Sequence, residues 1–265
     1  MACNDLQIAS LNSGSNGNCY YVGNETEAVL VDAGLSCRET EKRMLRLGLS
    51  MNKVKAIFIS HEHTDHIKGL CNLASKYNLP IYITPGTLMG CRFSLRQDLI
   101  HYISGNIVTY IGNLQVIGFP KLHDASEPFS FIISCGATRV GVFTDLGAAC
   151  EQLTFYFKQC SAAFLEANYD DELLNNSAYP YFLKRRISGG RGHLSNKQAL
   201  DLFVVHKPEY MTHLLLAHLS KDNNCPQLVQ NLFTEQAGDT QIIVASRNEE
   251  SAVYTIFEPV DVHSL

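Results

Sequence analysis

The stretch AIFISHEHTDHIKGL, residues 56–70, sets an apolar run directly before three histidines and an aspartate that fall within six positions. Ala56-Ile57-Phe58-Ile59 has the length and β-branched content of a buried strand. In the extended turn after it, His61 and His63 stand at i and i+2, so both can point the same way and bind one ion. Asp65 and His66 begin the next helix and can turn toward a second, and the positive end of that helix accommodates an anionic carboxylate. Neutral imidazoles and carboxylates suit zinc, manganese or iron, and a mixed set of this kind leaves open positions for water. Without a cation, three imidazoles and a carboxylate buried together would each need several hydrogen-bond partners, so a purely structural reading fits the cluster poorly.

Composition bounds the rest. With 265 residues, 46% hydrophobic and 18% charged, the chain can bury a sizeable core and is expected to be globular, one domain over residues 1–265. The 21 Lys and Arg stand against 26 Asp and Glu, for a formal charge of −5, so no global positive field marks a nonspecific nucleic-acid binder, although a local basic patch stays open. Nine cysteines are scattered singly with no C-x-x-C pair, which fits buried thiols in a reducing cytosol better than a disulfide framework. The start, MACNDLQIAS, has no charged segment followed by an apolar one, and the apolar runs fall short of the roughly 20 residues that span a bilayer. The expectation is a soluble cytoplasmic protein with no membrane association and no obligate protein partner readable from the sequence.

Strand and helix signals alternate along the chain. LQIASLNS and CYYVGNETEAVLVDAG read as strands joined by the turn-rich NSGSNGN, where Gly and Asn tolerate positive φ. SCRETEKRMLRLGL has helical spacing with Ser36 as cap and Glu39 three residues on. Then come the strand KAIFISH, the helix DHIKGLCNLASKYN, the strand PIYITP and a helix near residues 86–96. Residues 100–139 should supply several strands; VGVFTDLG, AAFLEANYD and MTHLLLAHLS are further strands, and SNKQALDLFVVH and CPQLVQNLFTEQAG are helices. The tail TQIIVASRNEESAVYTIFEP carries strand signals. In this order Asp32, His61, Asp145 and His218 each sit just past the carboxyl end of an apolar strand, where a rigid sheet holds side chains in fixed relative positions. The solitary His101, His206, His213 and His263 are expected to be hydrogen-bonded core residues.

HEHTDH resembles the H-x-H-x-D-H signature of the metallo-β-lactamase superfamily, and VDAG (Asp32), KLHDA (His123), FTDLG (Asp145) and LAHLS (His218) resemble its other motifs in the expected order. The resemblance covers nearly the whole chain. It implies an α/β (α+β) fold, a four-layer αββα sandwich of two mixed β-sheets flanked by helices, with a dinuclear site along one edge. It implies two divalent metal ions, Zn or Mn with Fe acceptable: His61, His63 and His123 for the first, Asp65, His66 and His218 for the second, Asp145 bridging both, and Asp32 supporting the ligand loop. β-Lactamases of this superfamily usually carry cysteine where Asp145 stands, so β-lactam hydrolysis is disfavoured. The stretch between Asp145 and His218 is too short for the inserted domain of β-CASP nucleases, and no glycine-rich arm resembling the exosite of transfer-RNA 3′-processing enzymes is present. Glu166 in FLEAN and His193 in GRGHLSNKQAL nevertheless resemble that processing branch, and SLNSGSNGNCYYV, RGHLSN and LLLAHLSKDNN are similar to the WalJ/YycJ group of bacterial metal-dependent exonucleases. That likeness implies 5′-to-3′ exonuclease activity on DNA.

On a phosphodiester, the leaving oxygen needs a proton that a histidine oriented by a carboxylate can deliver. His193 with Glu166 fills that role, and together with Asp65 they form the expected catalytic set; the competing reading of His193 is a helix N-terminal histidine bonded locally. Residues 184–197 carry Lys184, Arg185, Arg186, Arg191 and Lys197 without an acid, and read either as a grip on a nucleic-acid backbone or 5′-phosphate or as a solvated, mobile loop. Ser13, Ser15 and Asn16 in SGSNGN either face a phosphate or form only a tight hairpin. Tyr169, Tyr179, Tyr181 and Phe182 either stack bases or belong to core and rim. The alternative function is a small-molecule hydrolase of the same fold, acting on a cyclic phosphodiester, lactone or thioester. An idle metal-binding partner protein ranks last, because nothing in the ligand set is missing.

Overall fold

Alternating apolar side chains put both faces of two sheets to use. The computed structural model describes residues 4–259; Cys3 and His263 lie outside them. Strands β1 (Leu6–Asn12), β2 (Cys19–Gly23), β3 (Ala28–Val31), β4 (Val54–Phe58), β5 (Ile81–Ile83) and β6 (Ile100–Tyr102) pair in that order. β7 (Val108–Ile111), β8 (Leu114–Pro120), β9 (Phe129–Cys135), β10 (Thr138–Phe143), β11 (Ala162–Glu166), β12 (His213–Ala217) and β13 (Gln241–Val244) form the second sheet, also in sequence order. The last strand, β14 (Tyr254–Ile256), returns to the first sheet and pairs antiparallel with β1. Both sheets are mixed: β3, β4, β5 and β6 run parallel, as do β10, β11, β12 and β13.

Three apolar layers arise from the period-two alternation. Leu6, Ile8, Val29, Val31 and Phe58 of the first sheet meet Phe131, Val142, Phe164 and Leu215 of the second in the central layer. Their neighbours in the chain, Ala9, Leu30 and Ile57, face outward onto Met44 of α1 (Cys37–Arg46) and Leu70 and Leu73 of α3 (Leu70–Tyr77). Phe143, Leu165 and Leu216 face the other way, onto Phe157 of α5 (Glu151–Phe157), Phe203 of α8 (Asn196–His206) and Phe233 of α9 (Pro226–Thr234). Fully buried, each such side chain contributes about 1.5–3 kcal/mol. The result is helix, sheet, sheet, helix, the four-layer sandwich expected from the sequence.

Three readings of local structure are corrected. DHIKGLCNLASKYN is two helices, α2 (Thr64–Ile67) and α3, rather than one. The break falls at Gly69, whose N–H donates to Ala33 O at 2.8 Å; a Cβ there would stand 1.7 Å from Leu35 O. The helix near residues 86–96 is α4 (Pro85–Gly90), capped by Thr84, and ends earlier than expected. The first part of the basic strip is helical, α7 (Tyr181–Ser188), preceded by α6 (Asp171–Asn176), a helix not evident in the sequence. His101 is exposed rather than buried, because β6 is an edge strand; His206 and His213 are half-buried. The eight described cysteines are free, but only Cys19, Cys135 and Cys160 are fully buried.

Two glycines under the HEHTDH loop let three backbone segments interlock with no room for a side chain. A Cβ on Gly34 would stand 1.7 Å from Asp65 O, and Asn18 N donates to that same carbonyl at 2.7 Å. Gly69 meets the carbonyl of Leu35 equally closely. Gly69→Ala should cost about 3 kcal/mol through overpacking, whereas Gly190→Ala, whose Cβ would meet nothing within 4 Å, should stay within about 0.5 kcal/mol. Chemical denaturation of the two variants beside the unsubstituted protein measures the difference, and equal stability would refute the close approach.

Candidate metal centre

The C-terminal ends of the parallel strands converge on one edge of the sandwich. Asp32 comes immediately after β3, His61 lies three residues past β4, Asp145 two past β10, and His218 directly after β12; Glu166 ends β11. Asp32, Asp145 and His218 take left-handed backbone angles, with φ of 63°, 54° and 56°. Outside glycine this conformation costs on the order of 1–3 kcal/mol and is tolerated where surrounding contacts fix it. Here it turns the chain out of the strand and holds the three side chains at the shared edge.

The side chains expected as ligands come together. His63 Nδ1 lies 3.0 Å from His61 Nε2 and 3.3 Å from His123 Nε2. A tetrahedral ion bound at about 2.0–2.1 Å sets neighbouring ligand nitrogens about 3.3 Å apart, so this triad has the edge lengths of a coordination site. Beside it, Asp65 Oδ2 stands 3.4 Å from His66 Nε2 and 3.5 Å from His218 Nε2. Asp145 lies between the groups, with Oδ2 3.1 Å from His66 Nε2 and Oδ1 3.5 Å from His218 Nε2 and 3.9 Å from His123 Nε2.

The far ring nitrogens are held by other groups. Asp32 accepts from Ser60 N and Ser60 Oγ, each at 2.8 Å, and pairs with His66 Nδ1 at 2.7 Å. His61 Nδ1 contacts Ser60 Oγ at 2.9 Å, and His123 Nδ1–H donates to Gly192 O at 3.0 Å. Such contacts fix ring orientation and leave the opposite nitrogen for an ion. Two atoms inside the cluster have no hydrogen-bond partner although fully buried, Asp145 Oδ2 and His218 Nε2. The 3.1 Å approach of His66 to Asp145 lacks the alignment of a hydrogen bond. An orphaned carboxylate oxygen and an orphaned imidazole nitrogen in one buried cluster are the donors a divalent cation satisfies, so the set fits one.

Electrostatics point the same way. Burial alone would depress the imidazolium forms of His66 and His218, yet Asp145, with Asp32 and Asp65 around His66 and Asp65 and Glu166 around His218, holds His66 well above its ordinary pKa and His218 at about 10. The carboxylates thus recruit positive charge into the site. At the triad, burial wins: His61 is pushed well below its usual range and His123 to about 4. These two imidazoles are neutral, the form that binds metal.

Beside the cluster stands a second assembly. His193 Nδ1 is 2.7 Å from Glu166 Oε1, a contact between distant parts of the chain rather than the local bond of the competing reading. Glu166 is fully buried, and burial would raise its pKa, but His193 and the hydrogen bonds from His193 and His218 bring it down to about 2. Its Oε2 accepts from Leu146 N at 2.6 Å and Leu194 N at 3.3 Å. Both oxygens of Glu166 are thereby engaged.

Other expected contacts divide. Ser15, Arg186, His193 and His218 line a pocket of about 250 Å³ that opens onto the cluster. Arg185 and Arg191 line an adjoining cleft that shares Asp124, Arg186 and Gly192 with it. Ser13 is buried and its hydroxyl accepts from His218 N at 2.7 Å while contacting Tyr20 Oη at 2.8 Å, so it braces the centre instead of facing a phosphate. The Asn16 amide donates to Arg247 O. Tyr169 is buried, Tyr179 half-buried, and Tyr181 and Phe182 are exposed. Three contributors are not singled out by the sequence alone. Asn18 places Nδ2 3.0 Å from both Asp65 Oδ2 and His66 Nε2, and Asn168 lies 3.1 Å from His218 Nδ1. Lys121 is buried beside the cluster, with Nζ donating to Thr144 O at 2.7 Å. The available signal is membership of the motifs: Asn18 closes SGSNGN and Lys121 opens KLHDA.

Removing the Glu166 carboxylate would strand two imidazoles and two backbone N–H groups. Glu166→Ala should therefore lower stability by about 3–5 kcal/mol, and Glu166→Gln by less, as read by denaturant unfolding. Equal, small effects would mean that the carboxylate is not the anchor of these groups.

Residues 27–218 match the family described as beta-lactamase superfamily domain. The chain is 36% identical over 231 residues to Exodeoxyribonuclease YycJ of Bacillus anthracis, covering 85% of this chain and 86% of that protein. It is 28% identical over 242 residues to Exodeoxyribonuclease WalJ of Streptococcus pneumoniae, covering 89% and 90%. Its fold is similar to that of the metallo-beta-lactamase fold protein YhfI of Bacillus subtilis, with a TM-score of 0.74 at 15% identity over 95% of this chain and 99% of the other. With a match of this extent laid over converging strand ends that carry every motif of the signature, the chain belongs to the beta-lactamase superfamily domain family.

Proposed function

We propose that the chain is a metal-dependent phosphodiester hydrolase, a 5′-to-3′ exonuclease acting on DNA, working in the cytoplasm as a single domain. The observation that carries this reading is the Glu166–His193 pair at the mouth of a pocket, beside a buried cluster whose free donors call for a cation. The relatives named exodeoxyribonucleases, alike over most of their length, support DNA as substrate. No helix among the described residues is long and apolar enough to cross a membrane.

His61, His63 and His123 would hold one divalent ion, and Asp65, His66 and His218 a second, with Asp145 between them; zinc and manganese suit these donors, and iron is acceptable. Bound there, such ions supply charge stabilisation to a phosphate oxygen and a water acidic enough to ionise near neutral pH. The chain's own residues do the rest. Asp65, fixed by Asn18 at 3.0 Å, holds the attacking water by a hydrogen bond. Glu166 fixes His193 through Nδ1, which leaves Nε2 to pass a proton to the departing oxygen. Arg186, at the pocket rim and paired with Asp124 at 2.7 Å, has guanidinium donors left for a phosphate.

His193→Ala should keep the full metal complement, measured by elemental analysis, and lose about 10²–10⁴ in kcat. Full metal with unchanged turnover would remove His193 from the mechanism. The protein with its metals quantified should degrade 5′-labelled DNA, and a chelator should abolish this. Cleavage of a lactone alone, in a panel with single- and double-stranded DNA, RNA and a chromogenic phosphodiester, would overturn the nuclease reading in favour of a small-molecule hydrolase.

A further inference from the structure

Two openings reach the cluster and share no lining residue. The first is the pocket of His193, Arg186 and His218. At about 250 Å³ it is smaller than the usual ligand site, which runs about 300–1,000 Å³. A pocket of that size holds about one nucleotide unit, so the rest of a strand lies outside it, along the adjoining cleft of Arg185 and Arg191 or across the cluster from it. The second opening is a groove of about 680 Å³ lined by Glu62, His63, Lys68, Arg92, Phe93 and Ser126, among others. The segment from Asp124 to Ser126 is the wall between them: Asp124 lines the pocket, Ser126 lines the groove, and His63 Nε2 lies 3.9 Å from Asp124 Oδ1.

We propose that this groove is a second nucleic-acid subsite, which grips the backbone of the strand beyond the nucleotide held in the first pocket. The inference rests on the nuclease reading and adds a place for the polymer. Lys68 and Arg92 are both exposed, and among the described residues neither side chain makes a hydrogen bond or an ion pair. On the pocket side Arg186 is paired with Asp124, while Arg185 and Arg191 line the adjoining cleft. The groove therefore offers two uncommitted positive charges at one mouth of the site, the arrangement that phosphates displace counterions to reach. Its one lining acid, Glu62, is turned away from them. Glu62 Oε1 accepts from Ser126 N at 2.8 Å and Ser126 Oγ at 2.7 Å, and Oε2 is buried without a hydrogen-bond partner. The Glu62 carboxylate is turned into the protein, where it ties the HEHTDH loop to the wall. Phe93 packs against the apolar layer beneath and lines the groove, giving a base a ring on which to stack.

The test uses the full-length, metal-loaded protein and 5′-phosphorylated single-stranded DNA from about two to about twenty nucleotides, a range that brackets common single-strand site sizes. For the unsubstituted protein, KM should fall as the strand grows long enough to enter the groove. The double variant Lys68→Glu/Arg92→Glu should flatten that dependence, so that kcat/KM on the longest strand drops about tenfold relative to the dinucleotide, and the slope of log KM against log salt should shrink by about 1.4, or about 0.7 per lost phosphate contact. Lys68→Gln/Arg92→Gln should give the same loss of slope without charge reversal, and thermal melting of both checks that they fold. Equal losses at every length, or an unaltered length dependence and salt slope, would overturn the groove as a strand subsite, including the case in which it docks a protein instead. Should the unsubstituted protein degrade no strand of any length, the nuclease reading falls and the groove with it; should it degrade them while the variants keep its length dependence, the groove alone falls.

Discussion

The structure depends on how buried carboxylate charge is compensated at one edge of the sandwich. Asp32, Asp145 and Glu166 are buried, and Asp65 sits at the rim beside them. Unpaired, an ionised carboxylate taken out of water is strongly unfavourable. Two of the four are saturated by the protein itself: Asp32 by Ser60 and His66, Glu166 by two backbone N–H groups and two imidazoles. Asp145 is not, since Oδ2 has no hydrogen-bond partner. That difference sorts the acids. Saturated carboxylates position histidines, and the unsaturated one marks where an external charge belongs.

The same sorting explains why the left-handed residues persist. Asp32 N donates to Phe58 O at 2.8 Å, which locks the end of β3 to β4 across the sheet, and His218 N donates to Ser13 Oγ from the opposite sheet. Lys121 Nζ holds Thr144 O immediately before Asp145. Each strained residue is therefore secured by a bond on its own backbone or its neighbour's, and the strain is held by packing that would exist without any ion. The edge is built in advance, which limits the reorganisation needed when charge enters it.

Much of the fold was legible because strand alternation and ligand spacing are local signals. AVLV, AIFIS, VGVFT and HLLLA each read as strands ending just before a ligand-type residue, whereas the layer order was implied only by the family resemblance. The interlocked glycines were not legible: Gly34 and Gly69 meet carbonyls brought near only by tertiary packing. Ser13 misled for a related reason. In sequence it belongs to a polar turn rich in anion-binding residue types, whereas in space its hydroxyl meets His218, far along the chain. Short helices such as α6 and α7 were missed because six to eight residues give little periodicity to detect. The Glu166–His193 pair could be anticipated only through family likeness, since nothing in the spacing of two distant residues announces a 2.7 Å contact.

A net charge of −5 does not conflict with the polyanionic substrate proposed above. At physiological ionic strength, charges more than about 8 Å apart are largely screened, so the distribution near the openings decides. There Asp124 is paired with Arg186 and Glu166 with His193, while Glu62 turns inward onto Ser126. Arg185 and Arg191 on one side and Lys68 and Arg92 on the other make no such pairs among the described residues. The surface an incoming phosphate meets is therefore more positive than the composition suggests. The acidic balance lies elsewhere on the chain, for instance in Glu172, Asp201 and Glu209, which are exposed and line neither opening.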